Sequence, residues 1–191
     1  MHAAPAPLPA PASWGGITER TDAYRRIRAT GTFDHAAETR VLAVTELGGG
    51  FWIVTPLRTD QGIVLVNRGF VPDALRDPVS RAAGQVGGRV TVTGLLRMTE
   101  PHGGFLRAND PAADRWYSRD VAAIAATRHL GQVAPFFIDA DGTPNPGGYP
   151  VGGLTVIRFA NSHLVYALTW FGLAGICIAA IVILLRKRAP A

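Results

Sequence analysis

The stretch Asp60-Gln61-Gly62-Ile63-Val64-Leu65-Val66-Asn67-Arg68-Gly69-Phe70-Val71-Pro72 contains the strongest fold signal in the sequence. Its first three residues indicate a tight turn, because aspartate and glycine favour turn backbone. The run from Ile63 to Val66 has no polar residue, which is typical of a strand buried on both faces. Asn67-Arg68-Gly69 and Pro72 end this run. The centre of the protein is therefore predicted to be a β-sheet with one fully covered strand.

Shorter β-rich segments lie on both sides of this strand. We predict a turn at Gly48-Gly49-Gly50 and the end of a strand at Pro56, which lacks a backbone N–H. Residues 89–95 alternate between polar and apolar, the pattern of a half-buried strand. The predicted strands are residues 30–33, 38–46, 51–55, 63–66, 89–95, 136–139 and 154–159.

One helix is predicted in this β-rich part, at residues 120–130. Asp120 can cap its N-terminus, alanines fill it, and Arg128 and His129 suit its C-terminal end. The predicted fold class is therefore α+β. It is a small β-rich domain, a twisted sheet or partly closed barrel, with one soluble helix and a C-terminal transmembrane helix.

The transmembrane prediction comes from the end of the chain. Residues 164–185 are uncharged and apolar, and these about 22 residues would form a helix roughly 33 Å long, enough to cross a bilayer core. The basic cluster Arg186-Lys187-Arg188 follows, and such clusters stay on the cytoplasmic side. We therefore expect a bacterial inner-membrane protein with its main domain in the periplasm and its C-terminus in the cytoplasm.

These signals divide the chain into four parts. Residues 1–19 form a Pro/Ala-rich lead-in, which we expect to be extended and poorly ordered. Residues 20–160 form the β-rich extracytoplasmic domain, residues 161–185 the transmembrane helix, and residues 186–191 the basic cytoplasmic tail.

Composition excludes several classes of protein. The net charge of +5 suggests nucleic-acid binding, but the arginines are scattered singly and Lys187 is the only lysine, so no basic stripe exists. The single cysteine, Cys177, lies in the apolar run, so the chain has no disulfide framework. Serine, histidine and aspartate are present without a nucleophile elbow, and we expect no enzyme activity. A membrane-bound hydrolase is the alternative.

Two groups of residues are candidates for function. His163 immediately precedes the apolar run. Within the run, Tyr166 lies three residues after His163, and Trp170 lies seven residues after it, on nearly the same helix face. One interpretation is a metal-ligand nitrogen above an indole N–H, suited to a flat amphipathic ligand; the other is an aromatic belt. Asn67-Arg68-Gly69 is interpreted either as a turn, in which Arg68 reaches solvent or a carboxylate, or as a contact for a partner or ligand.

The chain resembles the Surfeit locus protein 1 family of cytochrome c oxidase assembly factors, from residue 4 to residue 185. The resemblance rests on these segments: Pro5-Ala6-Pro7-Leu8-Pro9, Thr55-Pro56-Leu57, Val64-Leu65-Val66-Asn67-Arg68-Gly69-Phe70-Val71-Pro72, Val92-Thr93-Gly94-Leu95, Asn109-Asp110-Pro111, Trp116-Tyr117-Ser118-Arg119-Asp120 and Asn161-Ser162-His163-Leu164-Val165-Tyr166-Ala167-Leu168-Thr169-Trp170-Phe171-Gly172-Leu173-Ala174. The last segment, at the start of a membrane helix, is the most specific.

The resemblance implies a β-rich domain between two membrane helices, of which this sequence lacks the first. It implies a chaperone that delivers haem a to subunit I of the oxidase, with haem a synthase and membrane lipid as further partners and no nucleic acid. His163 would bind the haem iron, Trp170 would donate a hydrogen bond to a polar substituent, Tyr166 would pack beside the macrocycle, and Arg158 would pair with a propionate.

Within the β-rich domain, the resemblance makes Asn67, Arg68, Gly69 and Tyr117 family-motif positions for partner contact or structure. The alternative function is an assembly scaffold that never binds haem. Only the haem-binding function requires the imidazole of His163.

Overall fold

The computed structural model describes residues 4–104, 106–155 and 163–188; within the last range it describes the side chains of 167–178 and 181. The chain divides into two compact units, Met1–Thr155 and Val156–Ala191. The described strands of the first unit are β1 Ala6–Pro7, β2 Arg26–Phe33, β3 Thr39–Thr45, β4 Gly48–Thr59, β5 Gly62–Pro72, β6 Arg89–Met98, β7 Gly103–Gly104, β8 Arg107–Ala108 and β9 Val133–Ala140. The described α-helices are α1 Glu19–Asp22, α2 Val121–Thr127 and, in the second unit, α3 His163–Arg188.

The larger sheet closes into a five-stranded barrel in the order β2, β6, β9, β5 and β4, because β4 also pairs with β2. β5 and β9 are parallel, and the other neighbours within the barrel are antiparallel. The β-rich prediction is thus confirmed, and the barrel is closed rather than partly closed. Helix α2 begins after Asp120, whose carboxylate accepts a hydrogen bond from the Ala123 amide, as the sequence predicted. The one-turn helix α1 was not predicted.

Strand β4 does not end at Pro56, and the prediction of a strand end there was wrong. The backbone N and C=O of a strand residue face the same edge. The Pro56 carbonyl accepts a hydrogen bond from the Asp34 amide, so its missing N–H also faces that edge and not β5. On this edge β4 changes partner, from β3 up to Val54 to β2 from Leu57 onward. The proline therefore costs no bond to β5.

The prediction of a turn at Gly48-Gly49-Gly50 was also wrong. The turn is at Glu46 and Leu47, and the three glycines begin β4. A Cβ atom on Gly50 would lie 2.1 Å from the Val71 carbonyl oxygen, so glycine allows close approach of β5 at this point. In the last predicted strand, Leu154 and Thr155 have no regular structure, and residues 156–159 lie outside the described residues.

Strand β5 is buried on both faces, as its apolar run predicts. Val64 and Val66 point into the barrel and join the larger core, whose other members include Ile27, Leu57, Leu96, Phe136 and Ile138. Leu65 points outward and packs with Phe137 beneath helix α2, in a second core that also contains Val41, Val54, Trp116, Val121 and Ile124. Because side chains alternate along β5, this one strand contributes residues to both cores.

The Pro/Ala-rich lead-in is ordered where it is described, in contrast to our expectation. β1 pairs in parallel with β2, and Leu8 and Trp14 are buried in the larger core. The Trp14 indole N–H donates to the Pro9 carbonyl at 2.9 Å, and its ring meets Phe136 edge-on. Composition alone favours disorder, but burial of this large aromatic surface offsets the entropy cost of ordering the segment.

Helix α3 includes residues 163–185 of the predicted membrane segment, and residues 161 and 162 lie outside the described residues. Its described apolar side chains are exposed on all sides of the helix: Leu168, Trp170, Phe171, Leu173, Ile176, Ile178 and Ile181. A search of the described part of the chain finds no helix that is both long enough and apolar enough to cross a membrane. The transmembrane helix over residues 161–185 stays a prediction.

We expect Trp14→Ala to lower the free energy of unfolding by about 3 kcal/mol, because it removes a buried aromatic ring and leaves a cavity in the barrel core. Val79→Ala, at an exposed position, is the control and should change it by less than about 0.5 kcal/mol. Urea unfolding of the full chain in detergent, followed by far-UV circular dichroism, measures both. Equal stability of the two variants would contradict the packing of the lead-in.

Candidate functional site

Asn67 and Asp139 form the centre of a buried polar network on the outer face of the barrel. They are register partners on β5 and β9, and the Asn67 amide donates to the Asp139 carboxylate at 2.8 Å. Arg97 donates to the same carboxylate at 2.9 Å, Arg119 at 3.0 Å and the Thr155 hydroxyl at 3.0 Å. A buried carboxylate requires such compensation, because removing a charge from water is costly. This network connects three strands to the last described residue of the first unit.

Glu100 extends the network through Arg119. The two side chains approach to 2.5 Å, and the guanidinium of Arg119 also lies 4.7 Å from the ring centre of Phe137. Burial acts to raise the pKa of Glu100, but the hydrogen bonds and charge of Arg119, with the charge of Arg97, outweigh it, so that this pKa lies below its ordinary value. Burial acts to lower the pKa of Arg119, but the hydrogen bond from Arg119 to Glu100 and the charges of Asp139 and Glu100 raise it above its ordinary value. Glu100 and Arg119 therefore form an ion pair at neutral pH.

Gly69 allows the backbone of β5 to come close to the loop at Val151. Its φ is +128°, and a Cβ atom there would lie 2.2 Å from the Val151 carbonyl oxygen. The neighbouring residue Phe70 exchanges two backbone hydrogen bonds of 2.9 Å with Val151. The Gly69 amide donates to the Asn67 side chain at 3.2 Å. The interpretation of Asn67 and Gly69 as structural residues fits these contacts.

Arg68 lies on the opposite face of β5, at the mouth of the barrel, and its side chain does not reach solvent. The residue is only 2% exposed, and its guanidinium lies 4.7 Å from the ring centre of Phe33. One nitrogen, Nη2, donates to the Gly84 carbonyl and to the Asn145 side chain. The other, Nη1, has no hydrogen-bond partner among the residues that the structure describes. Burial lowers the pKa of Arg68 to about 10, so the group is still a cation at neutral pH.

Arg68 lines a cleft of about 220 Å³ at this mouth. We call it the mouth cleft. Its walls are largely apolar side chains of the barrel and of the loops that cover the mouth: Phe33, Val66, Val86, Val90, Val92 and Pro144. A concave apolar site with a single buried cation has the form of a small-ligand site.

Tyr117 lies elsewhere, in a groove beside β3 with a volume of about 460 Å³. We call it the arginine groove, because it is lined by Arg40, Arg76, Arg107 and Arg115, with Asp114 as the acidic residue. Arg107 lies 5.5 Å from the ring centre of Tyr117. Leu42 also lines the groove and, with Val44, exposes apolar surface on the same strand.

The remaining predicted site residues belong to the second unit. His163 is the first residue of α3, and Tyr166 and Trp170 follow in the same helix, three and seven positions on. Positions with these spacings share a helix face. Trp170 is 69% exposed. The side chains of His163 and Tyr166, and all of Arg158, lie outside the described residues, so the predicted haem contacts stay predictions.

Comparison with known protein families gives a match over most of the chain. The profile of the SURF1 family matches residues 1–175, which include the Asn67-Arg68-Gly69 segment, Tyr117, His163 and Trp170. The protein belongs to the SURF1 family. The resemblance inferred from the sequence motifs is therefore confirmed.

Individual SURF1 relatives agree with this assignment. The chain is 40% identical to a SURF1-like protein of Monosiga brevicollis over 86% of this chain and 67% of the relative. It is 35% identical to Surfeit locus protein 1 of Homo sapiens over 90% of this chain and 61% of that protein. Surfeit locus protein 1 of Mus musculus gives 35% identity over 91% and 60%. The chain thus spans about three fifths of the length of the two mammalian relatives.

Sequence reasoning missed most of the charged network of this SURF1-family protein. Asp139 was assigned only to a short strand, and Arg97, Glu100 and Arg119 were not selected. One signal was present: an aspartate ends an otherwise apolar strand, where a buried charge needs partners. The partners come from residues 42 positions away for Arg97 and 72 for Asn67, so spacing cannot reveal them.

The low pKa of Glu100 predicts acid sensitivity. Since this pKa is below the ordinary value of 4.5 expected in the unfolded chain, ionisation of Glu100 stabilises the fold above about pH 4.5. That contribution is lost as the pH falls through the folded-state pKa. We expect Glu100→Gln to lower the unfolding temperature at neutral pH and to reduce its further decline between about pH 5 and pH 3. Glu46→Gln, at an exposed turn, is the control. Parallel pH curves for wild type and Glu100→Gln would contradict the prediction.

Gly69 and Gly48 provide a matched test of crowding at the family motif. Both have positive φ, but a Cβ atom on Gly48 would meet nothing within 4 Å. Alanine at Gly48 should cost about 1–3 kcal/mol of backbone strain. Alanine at Gly69 should cost about 2 kcal/mol more, because it also displaces the Val151 segment. Urea unfolding of both variants measures the difference, and equal costs would show that the contact with Val151 is soft.

Proposed function

We propose that this protein is a membrane-anchored assembly factor for cytochrome c oxidase that binds haem a and aids its insertion into subunit I. Membership of the SURF1 family is the observation that carries the proposal, because the family match includes both the β-domain motifs and the segment from His163 to Trp170. The protein acts as a chaperone and not as an enzyme. Its partners are subunit I, haem a synthase and membrane lipid.

The apolar surface of α3 supports the membrane anchor. A helix that is apolar on all sides requires a covering medium, either a protein core or a bilayer. Its described apolar side chains are exposed, and the sequence from residue 164 to residue 185 contains no charged residue before Arg186-Lys187-Arg188. In this proposal the helix spans the bacterial inner membrane, with the β-rich domain outside the cytoplasm and the basic tail inside.

The arrangement of residues along α3 supports haem handling. His163 starts the helix, and Trp170 follows seven positions later, about 10 Å along the axis. An imidazole is a strong neutral ligand for iron, and an exposed indole N–H can donate a hydrogen bond. His163 binds the iron, Tyr166 packs beside the macrocycle, Trp170 holds a polar substituent, and Arg158 pairs with a propionate. A single imidazole permits release of the cargo to the oxidase.

The arginine groove supports a second candidate function, an assembly scaffold without direct haem binding. Four arginines surround a groove of about 460 Å³, and apolar side chains of β3 are exposed beside it. Such a surface suits an acidic region of a partner protein. Both functions use this surface and the helix, but only the first requires the imidazole of His163.

The visible absorption spectrum distinguishes the two functions. We expect the full-length protein, purified in detergent from cells that synthesise haem a, to carry haem with bands typical of an iron–imidazole complex. His163→Ala should lose most of this haem, because in this proposal the imidazole supplies the iron ligand. His129→Ala, at the end of α2, is the matched control and should retain it.

Unchanged haem content and band positions in His163→Ala would end the assignment of the ligand. Absence of haem from the wild-type protein, together with normal oxidase maturation in cells carrying His163→Ala, would favour the scaffold.

A further inference from the structure

The buried cation of Arg68 lacks a directly paired carboxylate among the described residues. Within the part of the chain that the structure describes, its Nη1 atom also has no hydrogen-bond partner. Leaving a buried charge incompletely paired is unfavourable. Residues retained at such a cost are usually found at functional sites.

A neighbouring arginine shows the structural solution to the same problem. Arg81 is also buried, and both arms of its guanidinium bind the carboxylate of Glu38. Its Nε atom donates to the Leu75 carbonyl at 3.0 Å. Glu38 attracts Arg68 and Arg81 repels it, so the three residues together carry one excess positive charge. The uncompensated part of this charge belongs to Arg68.

Other unpaired polar atoms lie close to Arg68. Four of the five buried side-chain atoms without a partner in the described structure belong to Arg68, His35 and Gln85. The His35 ring contacts Phe33 and bonds the carbonyl of Val86, the residue that follows Gln85. Buried polar groups are normally satisfied, so this concentration of exceptions marks the surroundings of the barrel mouth.

The mouth cleft borders this region at Phe33, Arg68 and Val86, and its size limits what can enter. Its volume of about 220 Å³ is below the range for drug-sized ligands, so a macrocycle does not fit. The acidic residue of its lining, Asp141, already accepts two hydrogen bonds from Thr143 and lies 3.5 Å from Arg26. Among the described residues that line the cleft, Arg68 is therefore the charged group without an ion-pair partner, and the walls around it are mostly apolar.

We propose that the mouth cleft binds a carboxylate with a short apolar body, and that this carboxylate accepts a hydrogen bond from Nη1 of Arg68. The planar guanidinium matches carboxylate geometry, and the apolar walls cover the body of the ligand. A strongly hydrated anion such as phosphate gains nothing from these walls. Two sources have this chemistry: a free short-chain carboxylic acid and the C-terminal residue of a polypeptide. The inference is independent of haem binding and of the oxidase.

Calorimetric titration of the full-length protein in uncharged detergent tests the proposal. The probes are butyrate and its uncharged analogue butyramide, N-acetyl-Ala-Val with a free C-terminus and the same peptide as its C-terminal amide, and inorganic phosphate. We expect at least one carboxylate probe to bind, with the matching amide at least ten-fold weaker. Tighter binding of butyrate identifies a free acid as the source, and tighter binding of the peptide identifies a chain terminus.

Substitution of Arg68 provides the second arm of the test. Arg68→Met keeps the apolar stem and removes the charge, and it should weaken carboxylate binding at least ten-fold. Its unfolding temperature is measured alongside, because the substitution also removes the donor to the Gly84 carbonyl and to the Asn145 side chain. Arg58→Met removes an exposed arginine paired with Asp34 outside the cleft and should leave binding unchanged.

Three results would overturn the proposal. The first is that neither carboxylate probe binds the wild-type protein at millimolar concentration. The second is that amides or phosphate bind as tightly as the carboxylates. The third is that Arg68→Met binds the carboxylates as the wild type does. The comparison of acid and amide uses only the wild-type protein, so it stays decisive even if Arg68→Met is unstable.

Discussion

Asn67 and Arg68 are neighbours in the sequence, but the two-residue period of β5 sends their side chains to opposite faces of the barrel wall. Asn67 points outward and binds Asp139 at 2.8 Å, while Arg68 points inward to the mouth cleft. Both side chains are buried because β5 is covered on both faces, by the barrel core on one side and by α2 on the other. The two polar regions of the domain both depend on this one strand.

The two polar regions differ in whether their buried charge has an ion-pair partner. Asp139 is surrounded by donors from Asn67, Arg97, Arg119 and Thr155, so the outer network is internally compensated. Such a network fixes the relative positions of the strands that contribute to it. Arg68 has carbonyl, amide and aromatic contacts but no paired carboxylate. The outer face is therefore complete as folded, whereas the barrel mouth contains a charge that an anionic ligand can complete.

Much of the architecture could be predicted from local pattern. The buried strand at β5, the alternating strand at β6 and the capped helix α2 were predicted, because each depends on residues close together in sequence. Barrel closure was not, since it depends on β4 changing partner at Pro56, and a proline alone indicates the end of a strand. Site residues followed the same rule: the family motif identified Asn67, Arg68 and Gly69 as candidates, while the pairing of Arg119 with Glu100 and Asp139 depends on contacts distant in sequence.

The sequence by itself determined the β-rich class, the family motifs and the apolar C-terminal run, because composition, periodicity and short motifs are local properties. Only the tertiary structure decided that the barrel closes and that the lead-in packs against it through Trp14. It also decided that Asp139 forms ion pairs with arginines, whereas Arg68 has no ion-pair partner among the described residues. The physical reason is that burial and charge pairing depend on which distant segments meet. Arg68 and Arg81 are both buried arginines, and only folding gives one of them the carboxylate of Glu38.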